Sequence, residues 1–138
     1  MVEVNNSLRG KKNRASGARF ELRVRGELEK KGWVIDKWTN NVDLEQKKLI
    51  KAKRKFNPFL KLLGIGSGFP DFIAFKREGN RYKIISIEVK SDGYLTQEEK
   101  EKCRFLLDKK IFGKILIAKK GKKRGEIEYV DFEEKYGD

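Results

Sequence analysis

The sequence predicts an α/β fold, one domain with a mixed central sheet flanked by helices, on three observations. Phe20, Val24 and Leu28 recur at every fourth residue, as one face of a helix requires. The stretch GFPDFIAFKREGNRYKIISIEVKSD, residues 68 to 92, carries two apolar runs around Gly79-Asn80, the pattern of two strands and a tight turn. LTQEEKEKCRFLLDKK, residues 95 to 110, opens with Thr96 followed three residues later by Glu99, a capping box, and leads into the apolar strand KILIA.

Residues 1 to 15 are polar and basic, with Arg9, Lys11, Lys12 and Arg14, and read as a flexible tail ahead of a single domain over 16–138. A helix is expected from about Ala18 to Lys31, with Ser16 as N-cap and Gly32 placed to end it. WVIDKW, 33 to 38, reads as a short strand. An insert follows over about 40–68, where DLEQKKLIKAKRKFNPFLKLL predicts helix in two pieces broken at Asn57-Pro58. GIGSG, 64 to 68, has neither a following Lys-Ser/Thr nor a helix to open, so it reads as a loop and not a phosphate cradle. Strands are expected at 71–77 and 81–90, with Gly79 at the first central position of a type II′ turn. A helix near 97 to 110 comes next, turning Cys103, Leu106 and Leu107 inward, and strands at 114–118 and 126–130 end the order. At 138 residues, such a domain buries roughly two thirds of the surface its unfolded chain exposes.

The net charge is +13, and residues 1 to 61 hold 17 basic against 7 acidic groups, a net +10. A field of that sign draws polyanions, and DNA is the expected partner. The densest basic run is in the insert. Lys11, Lys12, Arg14, Arg19, Lys47, Lys48, Lys51, Arg54 and Lys55 are the candidate DNA-binding residues. With one cysteine, Cys103, and no histidine, the chain excludes internal disulfides, Cys/His zinc clusters and Ser-His or Cys-His catalysis. No apolar leader or spanning segment is visible, so a cytoplasmic, nucleoid-associated protein without membrane contact is expected, with a homodimer as an option.

Alternation along a strand points Glu88 and Lys90 to one face and Ile85, Ile87 and Val89 to the other. A two-residue loop at Gly79-Asn80 sets Asp71 opposite Glu88. A four-residue loop sets it opposite Ser86, on the same face, and a three-residue loop or a bulge breaks the parity. Two opposed carboxylates repel unless a cation lies between them. Lys90 supplies part of that charge, and hard oxygen ligands without His or Cys suit Mg²⁺ or Mn²⁺. The bland alternative is a solvated sheet face on which Glu88 pairs with Lys90 or Arg81 and nothing binds.

The whole stretch resembles the PD-(D/E)XK nuclease superfamily: PD at 70 to 71, EVK at 88 to 90 and a preceding helix with Glu21 match its signature. SGARFELRVRGELEKKGW looks like the opening helix of archaeal Holliday-junction resolvases, while GFPDFIAF and IEVKSDGYLTQEE are closer to the VRR-NUC branch. The resemblance implies a restriction-endonuclease-like αβββαβ core and a metal-dependent DNA endonuclease acting on branched or structured DNA. It implies that Asp71, Glu88 and the Val89 carbonyl ligate the metal, that Lys90 positions the attacking water, and that Glu21 approaches the metal through water. Gln97 falls near a helical Gln of some branches, although the accompanying Tyr is replaced by Glu101. The competing functions are a catalytically silent nucleic-acid-binding module and, ranked last, a basic assembly protein.

Overall fold

The computed structural model describes the backbone of residues 2–52, 54–57, 62–65 and 68–137, and the side chains of 15–52 and 68–137. Helix α1 spans Val2–Lys30, with Phe20, Val24 and Leu28 buried as their spacing predicts. The helix thus begins well before the expected Ala18: residues 2–15, read as a tail, are helical, and Ser16 lies inside α1 and does not cap it. No proline interrupts residues 2 to 30, and a helix once nucleated gains a hydrogen bond with each residue added. Gly32 follows the helix end with a φ of +94°, a conformation that favours a residue without Cβ.

Strand β1 is Val34–Lys37. The expected helical insert is instead two hairpins: β2, Asn40–Asp43, pairs with β3, Lys48–Lys51, and β4, Arg54–Asn57, pairs with β5, Leu62–Ile65. Lysine-rich sequence tolerates either state, and here side-chain chemistry selects the turn. Asp43 Oδ1 accepts from the backbone N–H groups of Glu45 and Gln46, both at 3.0 Å, and Lys47 adopts a φ of +53° that no helix contains. Val42 is then buried against the second helix, which anchors the first hairpin to the body.

The insert leaves and rejoins the body at nearly one point. The Ala52 N–H donates to Thr39 O and the Phe69 N–H to Asn40 O, each at 2.8 Å. A Cβ on Gly68 would run into the carbonyl oxygens of Trp38 and Asn40, so this glycine serves a close backbone approach. That is a structural use for the end of the GIGSG stretch.

Strands β6, Phe72–Glu78, and β7, Arg81–Val89, form the expected hairpin. Glu78 is paired with Arg81, and Gly79 has a φ of +62°. Helix α2, Gln97–Asp108, begins at Thr96 with both capping-box hydrogen bonds present. Strands β8, Ile115–Lys120, and β9, Ile127–Asp131, follow. A short terminal helix α3, Phe132–Tyr136, was not expected; Asp131 caps it and Phe132 is buried beneath it.

The five-stranded sheet has the order β1-β6-β7-β8-β9, antiparallel except for the parallel β7–β8 pair that α2 bridges. Phe20, Val24 and Leu28 of α1 pack on Ile35, Ala74, Ile85 and Ile87 on one face. Cys103 and Leu106 of α2 pack with Phe69, Ile115, Ile117 and Phe132 on the other. Both faces of the second half of β7, Ile85 to Glu88, are therefore covered, while Arg81 to Ile84 are exposed. The face bearing Ser86 and Glu88 is not the solvated surface that the bland alternative required.

Candidate active site

Register places the first pair of groups. Phe72 pairs with Ile87, so the next position outward sets Asp71 against Glu88, where the two-residue turn predicts it. Asp71 is held from both sides. Its carbonyl accepts from the Trp38 N–H at 3.0 Å, just past β1, and its own N–H donates to Glu88 Oε1 at 3.2 Å. Its Oδ2 accepts from the Val89 N–H at 2.8 Å. In an extended strand the C=O of a residue points the same way as its N–H, so the Val89 carbonyl faces Asp71 too.

Glu88 is only 4% exposed. Burial first, and then the adjacent Asp71 charge, hold its carboxyl well above the usual range, with Lys90 opposing. Lys90 Nζ lies 3.9 Å from Glu88 Oε2 and 2.6 Å from Glu99 Oε2. Burial pulls the Lys90 ammonium down, but the Glu99 hydrogen bond and the carboxylates of Glu88, Glu99 and Asp71 outweigh it, and the net displacement is upward. The surrounding carboxylates thus favour the charged ammonium form of Lys90. Glu99 is displaced downward: its burial works the other way and is overcome by the Lys90 hydrogen bond and the Thr96 backbone N–H.

Glu21 reaches the same region from α1. It lines a cleft of about 550 Å³ with Leu22, Arg25, Lys37, Asp71 and Phe72. Desolvation and then the Asp71 charge raise its carboxyl, while Lys37 lowers it. The i, i+4 partner that would have made Glu21 an ordinary surface residue is engaged elsewhere: Arg25 binds Glu29 at 2.8 Å and the Ile35 carbonyl at 3.1 Å.

Five sequence-predicted residues, Glu21, Asp71, Glu88, Val89 and Lys90, therefore meet at one end of the sheet. Gln97 is exposed in the first turn of α2, and the α2 residue that turns to Lys90 is Glu99. Glu99 is the group that sequence reasoning missed. Its signal was present in the capping box, which fixes Glu99 in the first turn of a helix whose N-cap lies six residues after Lys90. Lys37 is a second omission, visible only once β1 and β6 pair.

Among the described residues, the basic candidates lie in separate places. Arg19 is exposed on α1. Lys47 lines a separate cleft with Leu44, Glu101, Arg104 and Asp108, beside the later turns of α2. Lys48 and Lys51 are exposed on β3, and with strand alternation their odd spacing turns them to opposite faces of the hairpin. The side chains of Lys11, Lys12, Arg14, Arg54 and Lys55 lie outside the described residues.

No family model, curated protein or solved structure matches this chain. Among the described residues no helix is long and apolar enough to cross a membrane. Nor do three Asp, Glu, Cys or His side chains among them converge on a single point. The donor set is two carboxylates, one strand carbonyl and, across the cleft, Glu21. That set fits Mg²⁺, which takes a few protein oxygens and keeps several waters, better than it fits an ion needing a full protein cage.

Proposed function

We propose that this chain is a Mg²⁺- or Mn²⁺-dependent deoxyribonuclease of the PD-(D/E)XK type, with branched or otherwise structured DNA as its substrate. The observation that carries the proposal is the half-buried Asp71 set against the buried Glu88, with Lys90 beside them. Opposed carboxylates in a half-closed site are costly for the fold alone, and a divalent cation relieves that cost. The element order supports it as well: without the insert, α1, β1, β6, β7, α2 and β8 follow the αβββαβ pattern of that superfamily.

Asp71, Glu88 and the Val89 carbonyl would hold the ion, with Glu21 reaching it through water. Such an ion lowers the pKa of bound water and stabilises charge on a phosphoryl oxygen. The chain's own groups do the rest. The Asp71 N–H to Glu88 hydrogen bond and the Val89 N–H to Asp71 hydrogen bond orient both carboxylates before any ligand arrives. Lys90, a cation pinned by Glu99, faces the negative charge that grows during attack on a phosphodiester and orients the attacking water. The excess of basic residues draws the DNA backbone to the protein without reading bases.

The test is cleavage of end-labelled linear, flap and four-way-junction DNA in Mg²⁺, with EDTA and Lys90→Ala controls. Cleavage that stops in EDTA and in the variant is expected. Undiminished cleavage in chelator, or binding without cleavage of any of the three substrates, would overturn the proposal. The second outcome would leave a nucleic-acid-binding module.

A further inference from the structure

We infer that Glu99 is the positioning residue for Lys90, and that it performs this task with one oxygen while the other holds the start of α2. The inference rests on the nuclease reading of the site for its catalytic part, and on geometry alone for the rest.

Glu99 Oε1 accepts from the Thr96 N–H at 2.9 Å, and the Glu99 N–H donates to Thr96 Oγ1 at 3.1 Å. Oε2 meets Lys90 Nζ at 2.6 Å, the shortest ion pair among the described residues, and the Glu99 carboxyl also lies within hydrogen-bonding reach of Glu88. The two partners differ in freedom. Glu99 belongs to a helix whose Cys103 and Leu106 are buried in the core, and its carboxylate is fixed in plane by the cap. Lys90 has a four-carbon stem whose rotamers must be frozen before its ammonium can face a phosphate. The rigid member therefore sets the position of the flexible one.

Besides Glu99, the carboxylate paired with Lys90 among the described residues is Glu88, with Oε2 at 3.9 Å. Without Glu99 the ammonium would swing onto a carboxylate assigned to the metal and compete with the ion for it. Glu99 thus keeps Lys90 near Glu88 without letting it collapse onto that group. The capping box, a device for starting a helix, also fixes the distance between the sheet and the ammonium it presents.

Substitution by Gln separates the two tasks, because Gln also serves at the third position of a capping box but carries no charge for Lys90. Glu99→Gln is expected to keep its melting temperature and its affinity for DNA while kcat falls about tenfold to a hundredfold, the range for groups that orient a site's ligands. Thr96→Ala, which weakens the cap and leaves the ion pair, is expected to lower the melting temperature and keep kcat near wild type. A readout independent of nuclease activity is the rate of reductive methylation of Lys90, followed by mass spectrometry on protein free of metal and DNA. It should rise severalfold in Glu99→Gln and not in Thr96→Ala. Wild-type cleavage with an unchanged or higher kcat in Glu99→Gln, or an unchanged Lys90 methylation rate, would overturn the positioning role. Absence of wild-type cleavage together with faster Lys90 methylation would overturn the nuclease reading and leave the clamp standing.

Discussion

Replacing Glu88 by Gln should stabilise the protein in the absence of divalent metal, although Glu88 sits at the centre of the site. Directly opposed residues in an antiparallel pair stand roughly 5 Å apart. Two unit charges at that separation repel by about 3 kcal/mol at an effective dielectric of about 20. Lys90 offsets part of this, but its side chain is 29% exposed and is shared with Glu99, so the attraction is screened and divided. Gln keeps the volume of Glu and the oxygen that accepts from the Asp71 N–H, and its amide donates to the carboxylates that Glu88 now repels. The net gain is expected to be about 1–3 kcal/mol above neutral pH, or roughly 4 °C in melting temperature per kcal/mol.

The pH dependence identifies the cause. Burial and the neighbouring Asp71 charge hold the Glu88 carboxyl well above the usual carboxylate range in the folded protein, so the native state holds that proton more tightly than the unfolded chain does. The penalty is fully present above the raised pKa and disappears as pH falls through it toward the usual carboxylate range and below. Thermal melts in EDTA should therefore show Glu88→Gln above wild type at pH 8, with the gap closing on acidification. Added Mg²⁺ should raise the wild type and leave the variant unmoved, since an ion stabilises only the state that binds it. A variant less stable than wild type at pH 8 in EDTA would refute the account and make Glu88 a structural acid.

Asp71→Asn should remove cleavage by orders of magnitude while duplex binding, measured by fluorescence anisotropy, stays near wild type. Asn retains an oxygen for the Val89 N–H but contributes no charge to a metal. Lys48→Ala/Lys51→Ala should reduce the slope of log K against log salt by about 0.9, the contribution of one phosphate contact, because these lysines occupy opposite faces of β3. A drop of twice that size would place both on DNA. Cys103 is buried, and its burial, with the charges of Glu88 and Glu99, pushes the thiol up to about 12, so a thiol-reactive dye at pH 8 should label it only after denaturation. Rapid labelling of native protein would contradict the packing of α2.

The elements that were legible in the sequence are those whose signals are local. A four-residue repeat marked the core side of α1, Gly32 marked its end, and Gly79 at the turn set a register that carried Asp71 to Glu88 seven residues away on each strand. The capping box located the start of α2 to the residue. The insert failed the same method, because its lysines and scattered leucines satisfy a helical spacing as well as a strand one. The Asp43 turn and the burial of Val42 on α2 decided between them.

The sequence by itself set Glu88 and Lys90 on one face by alternation and brought Asp71 there for a two- or four-residue loop, a choice that the observed two-residue turn closed. Only the tertiary structure decided what those groups experience. Glu88 is displaced upward because the second face of β7 is covered by α2, and Lys90 is fixed because that helix begins where Glu99 can reach it. Desolvation and charge pairing depend on elements that come together across the fold, and no window of sequence contains them.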